Sequence, residues 1–134
     1  MTRYHISLVF IASSHRIDVE VNADEYDSSD DIVLELPMGG RVIRSSGSSY
    51  LEAYQELRDK LLGFGYGMEC CGSLINAVQS GMMAQSPKVY LVSMGKQARL
   101  DDIAGIWDKC DISDFPDTAA QNAFTEQWFA SLKK

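Results

Sequence analysis

Cysteine, proline, histidine and basic residues are all scarce in this chain, and each scarcity removes a class of explanation. The 134 residues include three cysteines, of which Cys70 and Cys71 are neighbours. Adjacent cysteines rarely bond to each other and the third is left over, so no disulfide framework is expected and a reducing compartment suits the thiols. The pool Cys70, Cys71, Cys110, His5 and His15 has no C-x-x-C spacing and lacks the paired motifs of structural zinc, so neither a metal nor another cofactor is expected. Twelve Lys and Arg against 19 Asp and Glu give a net charge of −7. Nucleic acid needs a basic surface and is therefore not an expected partner, whereas a basic protein is.

Long apolar runs are also missing. The opening MTRYHISLVFIASS holds one short run behind a lone Arg3, without the apolar region and cleavage site of a signal peptide. No run approaches the roughly 18 residues that cross a bilayer. The expectation is a soluble, cytoplasmic protein that does not engage a membrane. There is no repeat, low-complexity tract or long linker. A chain of this length, 46% hydrophobic, fits one compact domain that buries roughly two-thirds of its unfolded surface.

The residues that are present alternate in ways that predict strands. Tyr4, Ile6, Leu8 and Phe10 form one face of a first strand, and Ile17, Val19 and Val21 one face of a second, the two joined as a hairpin. IVLELP and RVIR flank the turn pair Gly39-Gly40 as a second hairpin, in which Pro37 marks an edge or a strand end. Ser49 with Glu52 makes a capping-box pattern, and Tyr50, Tyr54, Leu57 and Leu61 fall on one stripe of the helix that follows, ended by Gly63 and Gly65. KVYLVSM reads as another strand, and Leu100 to Asp108 as a helical turn followed by a short strand. Thr118 and Gln121 suggest a cap for a last helix carrying Phe124, Trp128 and Leu132 on one face. The late aromatics Trp107, Phe115, Phe124, Trp128 and Phe129 are expected to anchor that helix to the sheet. The order predicts an α+β fold: one domain over residues 1–134, an antiparallel β-sheet with two main helices packed on one face.

Two segments draw functional attention. Cys70 and Cys71 stand before Gly72-Ser73 and a possible helix over Leu74 to Gln79, and a helix N-terminus lowers a thiol pKa. A catalytic thiol also needs a base, yet nothing in the spacing brings His5 or His15 to it. Packed thiols at the end of a short buried strand are the plainer reading. The segment ADEYDSSDD concentrates Asp24, Glu25, Asp27, Asp30 and Asp31 out of register for a calcium loop. Such a concentrated field steers a basic partner.

The run GSSYLEAYQELRDKLLGFGY through CCGSLINAVQSGMM to KVYLVSMGKQA resembles a family of small uncharacterised bacterial proteins. The features that carry the resemblance are Tyr50 to Ala53, Leu57-Arg58, Cys71-Gly72, Asn76 with Ser80-Gly81-Met82, and Gly95 to Ala98. The chain departs from that pattern at Val78-Gln79, where Tyr-Pro is usual, and at Ala84 to Pro87, where a glycine-rich turn is usual. The resemblance implies no catalytic residues, and it implies a likeness to immunity or accessory proteins of bacterial toxin systems.

The expected function is a non-enzymatic protein-binding module neutralising a basic partner through Asp24, Glu25, Asp27, Asp30 and Asp31 together with Asn76, Ser80 and Met82. The alternative is a thiol-dependent enzyme or redox sensor using Cys70 or Cys71. A third reading is a small-molecule binder on the sheet face. An exposed edge near Pro37 or at Lys88 to Met94 offers a route to a homodimer.

Overall fold

The structure is a computed structural model that describes residues 1–25 and 31–133. Strand β1 (Thr2–Phe10) pairs antiparallel with β2 (His15–Asp24), from Thr2 opposite Ala23 to Phe10 opposite His15. Strands β3 (Ile32–Met38) and β4 (Arg41–Gly47) form the second hairpin. Gly39 and Gly40 join them with φ of 56° and 81°, the paired left-handed conformations of a two-residue turn. Pro37 sits where β3 has already parted from β2, since only Val33 to Glu35 pair with Asn22 to Asp24. Its missing donor therefore costs no ladder bond on that side.

One face of this sheet carries helix α1 (Tyr50–Gly63). Its Tyr50, Tyr54, Leu57 and Leu61 stripe is fully buried against Leu8, Val21, Leu34 and Leu36. Burial of each such side chain contributes about 2 kcal/mol, so this stripe fixes how the helix docks. Gly65, at φ 88°, turns the chain back into β5 (Tyr66–Met68), which pairs with β1. The five strands run in the order β4-β3-β2-β1-β5. Trp107 enters the same core, stacked on Tyr4 with centroids 5.4 Å apart and tilted against Tyr54 at 5.1 Å.

A second sheet of three strands, β6 (Ala77–Val78), β7 (Lys88–Leu91) and β8 (Ile103–Gly105), runs antiparallel in the order β6-β7-β8. Helix α2 (Thr118–Ser131) packs there, where Trp128 meets Val78 and Val92, and Phe124 and Leu132 close the cluster. The α+β class, the antiparallel pairing and the two main helices are those expected from the sequence. The second sheet is additional, and it is this sheet that receives the α2 aromatics. Trp107 instead belongs to the main core, and Phe129 is exposed.

Several local expectations are corrected. Leu74 to Gln79 is not a helix: Cys71–Ser73 is a single 3-10 turn, and Ala77–Val78 is β6. Asn76 and Gln79 instead tie this segment to the chain around β7, at the Val92, Ser86 and Lys88 carbonyls, and β6 pairs with β7. Asp117 caps α2 in place of Thr118, accepting from the Ala120 N–H at 2.9 Å. The Lys88 to Met94 segment offers no sheet edge, because β7 lies between β6 and β8. The outer strands of the larger sheet are β4 and β5, and Lys60 Nζ donates to the Arg44 carbonyl of β4 at 2.6 Å. A lysine lodged there blunts an edge against strand pairing. Among the described residues no helix is long and apolar enough to cross a membrane.

Candidate functional site

The first backbone N–H groups of a helix need partners, and at α1 the chain supplies one for each. Tyr50 N–H donates to the Ala84 carbonyl at 2.6 Å, Leu51 N–H to Gln79 Oε1 at 3.0 Å and Glu52 N–H to Ser49 Oγ at 3.2 Å. The Ala53 N–H closes on the Ser49 carbonyl at 3.1 Å. Glu52 returns its carboxylate to the Ser48 hydroxyl and N–H, at 2.7 and 3.2 Å. The helix start is thus consumed by a cap and by the turn that follows β6, and it leaves no amide nest for an anion.

That turn is held from both ends. The Gln79 amide donates to the Ser86 and Lys88 carbonyls at 3.0 and 2.9 Å, and Gln85 donates to the Ser48 carbonyl at 2.8 Å. Gln79 and Gln85 thus both act as clamps on the turn. Of the turn residues singled out from the sequence, Met82 is fully exposed and Ser80 is exposed as well. Asn76 is inward: its Nδ2 donates to the Val92 carbonyl at 3.0 Å and holds β6 against the chain leaving β7.

The acidic segment reaches the same end of the molecule. Asp31 is exposed and precedes Ile32, which pairs with Gly47 at the end of β4. Gly47 lies so close to α1 that a Cβ there would stand 2.8 Å from Glu52 Cβ. Asp24 ends β2 opposite Val33. Glu25 is turned inward, accepting from the Tyr4 hydroxyl at 2.8 Å. It also bears on Tyr50, whose ionisation burial pushes up, with Glu25 adding to the rise and the Trp107 indole opposing it. Trp107 Nε1 donates to the Tyr50 hydroxyl at 2.8 Å. Asp27 and Asp30 lie outside the described residues. Asp24 and Asp31, the 79–84 turn and Glu52 therefore share one pole, while Glu25 roots the segment in the aromatic core.

Beside this pole a groove of about 440 Å³ opens between the start of α1, β6 and α2. Val78, Tyr90, Trp128 and Phe129 give it an apolar floor, and Glu52, Gln79, Ser80, Asn122 and Thr125 its polar wall. The spacing of Val78, Trp128 and Phe129 in the sequence carries no sign of this groove, because β6 and α2 meet only through the second sheet.

The cysteines are placed differently from the sequence expectation. Cys71 is bonded to Cys110, with Cα atoms 5.0 Å apart and a sequence separation of 39. The adjacency of Cys70 and Cys71 concealed this pairing, since the partner of Cys71 is the distant third cysteine. Cys71 is therefore not a free thiol in this structure. Cys70 is free and fully buried, as the packed-thiol reading expects. Burial raises its pKa to about 12, with a Tyr54 hydrogen bond pulling down and the charges of Glu69 and Asp108 adding to the rise. A thiol shifted in that direction is the opposite of an activated nucleophile. The helix start that was to activate the cysteines is absent too. Ser73, instead of capping a helix, shares a hydrogen bond with the Tyr54 hydroxyl.

His5 faces Glu20 across the hairpin at 3.5 Å, and Ser7 donates to Asp18 at 3.2 Å. Glu69, almost fully buried, is held by Arg16 through Nε and Nη2 at 2.7 and 3.1 Å. These polar groups pair with each other across the sheet and give no nucleophile–base contact.

One buried network escaped the sequence reading altogether. Gln121 Oε1 accepts from Arg58 Nη2 at 2.7 Å and from Gln55 at 3.1 Å, while its amide donates to the Gly72 and Leu74 carbonyls at 2.9 and 2.7 Å. Arg58, 1% exposed, also binds Asp59 and Thr118, and its Nη1 has no partner among the described residues. This network ties α2 and α1 to the Cys71 turn. Compared with known proteins, the chain matches no family model and no curated protein.

Proposed function

We propose that the chain is a non-enzymatic protein-binding module that receives a basic partner on the pole at the start of α1. The observation that carries this reading is the convergence there of residues distant in sequence, Asp24 and Asp31 beside the 79–84 turn, in a chain of net charge −7. Carboxylates gathered at one end produce a field that speeds encounter with a basic surface and disfavours acidic competitors. The turn is clamped by Gln79 and Gln85, so the surface is formed before the partner arrives, which lowers the ordering cost of binding. Neutralisation of a basic toxin, the role implied by the family resemblance, fits such a surface.

The thiol-enzyme alternative loses its support, because Cys71 is bonded to Cys110 and Cys70 is buried with its proton held. The disulfide also removes the reason for assigning a reducing compartment. Bonds of this kind persist in oxidising surroundings, and the chain is proposed to work outside the reducing cytoplasm.

The test is the association rate of the identified partner with the wild type and with an Asp24→Lys, Asp31→Lys double variant, across a series of salt concentrations. The expected result is a slower association and a flatter salt dependence in the variant, with little change in dissociation. Equal rates and equal salt dependence would remove the pole from the binding account.

A further inference from the structure

Resting on the acidic-pole reading, we infer that the groove between α1, β6 and α2 is the anchor site for the same partner, and that its occupant is one large apolar or aromatic side chain carried on a Lys- or Arg-flanked segment. The floor formed by Val78, Tyr90, Trp128 and Phe129 is apolar, and Phe129 remains 57% exposed beside Trp128, their ring centroids 4.9 Å apart. An unpartnered aromatic wall of this kind stabilises an inserted side chain by removing apolar surface from water. Interfaces concentrate their binding energy in such filled pockets.

Charge selects the flanks of the occupant. Among the described residues no Lys or Arg lines the groove, and the one charged residue that does is Glu52. Its carboxylate is fixed on Ser48 at the same end as Asp31. A cationic flank therefore meets the Glu52 carboxylate in the groove wall, which disfavours an anionic one. Asn122 lines the groove, is exposed, and its side chain makes no hydrogen bond among the described residues. Its amide offers a donor and an acceptor to one peptide unit of the segment. The groove volume of about 440 Å³ suits one large side chain with the backbone that bears it.

The probes are two capped pentapeptides, Lys-Lys-Phe-Lys-Lys and Lys-Lys-Ala-Lys-Lys, titrated into isotope-labelled protein and followed by NMR. The Phe peptide should bind about tenfold tighter than the Ala peptide, as burial of one aromatic ring in a half-open groove supports. Its largest shifts should fall on Asn122, Thr125 and the Trp128 indole N–H. Asn122→Trp, which fills the groove, and Phe129→Ala, which removes a wall, both change exposed α2 positions and should abolish the tenfold difference. Equal binding of the two peptides, with shifts confined to Asp24 and Asp31, would overturn the anchor site and leave the acidic pole standing. Groove shifts that persist unchanged in the Asp24→Lys, Asp31→Lys variant would support the anchor and remove the pole. Shifts from the Phe peptide lying elsewhere on the molecule would overturn the groove assignment.

Discussion

Gln79 presents its side-chain oxygen to the Leu51 backbone N–H at 3.0 Å, and with the same amide group holds the Ser86 and Lys88 carbonyls. One side chain thus completes the cap of α1, shapes the turn beside it and aligns β7. The acidic pole and the groove are positioned by this contact.

Gln79→Ala should therefore lower folding stability by about 2 kcal/mol, since the Leu51 N–H loses its partner and the two carbonyls lose their donor. Urea unfolding measures the loss. NMR should show its largest shifts at Ser49 to Glu52 and Ser80 to Ala84.

Gln121 is the centre of the buried network, so Gln121→Leu should cost about 3 kcal/mol by leaving Arg58 and the Gly72 and Leu74 carbonyls without their partner. Arg58→Met should cost less, because it removes a buried charge whose Nη1 already lacks a partner and fills the space with an apolar chain of similar length. A double-mutant cycle between the two positions should show strong coupling.

The Cys71–Cys110 bond closes a loop of 39 residues in sequence separation around the second sheet. Cys71→Ser with Cys110→Ser should destabilise the chain by about 4 kcal/mol on the loop-entropy account. Iodoacetamide with mass spectrometry gives a second reading. The native oxidised protein should take up no label, and the unfolded oxidised protein should take up one label, at Cys70.

Alkaline pH should destabilise the fold before it exposes any active thiol. Cys70 has its pKa raised from 9.0 to about 12 in the folded state. The folded protein then keeps a proton that the unfolded chain releases, so this contribution to stability is complete below pH 9 and is lost as the pH rises toward 12. Tyr50 and Tyr54, both pushed up by burial from 10.0, act in the same sense. Each group steepens the fall by at most about 1.4 kcal/mol per pH unit. Cys70→Ala should flatten the slope of urea-measured stability above pH 9.

The elements legible in the sequence are those whose cause is local. The α1 stripe of Tyr50, Tyr54, Leu57 and Leu61 and the Ser49 cap are written in neighbouring residues, as are the alternating strands of both hairpins. Of the second sheet, β7 within KVYLVSM and the helical turn leading into β8 were legible, whereas β6 was not, because a strand of two residues is too short for alternation to register. Gln79 and Leu51 lie 28 residues apart, and Gln121 and Arg58 63 apart, so neither polarity nor spacing announces those contacts. Of the candidate site, the acidic residues and the exposed Met82 could be read directly. The inward turns of Glu25 and Asn76 depend on partners, Tyr4 and Val92, that only the fold brings near.

The most direct test of the binding account is a paired affinity capture from lysate of the protein's own host at low and high salt, using wild-type bait beside the Asp24→Lys, Asp31→Lys bait, with mass-spectrometric identification. The account predicts one stoichiometric basic protein on the wild-type bait, released as salt rises and missing from the charge-reversed bait. The same proteins retained equally by both baits at both salt concentrations would contradict it.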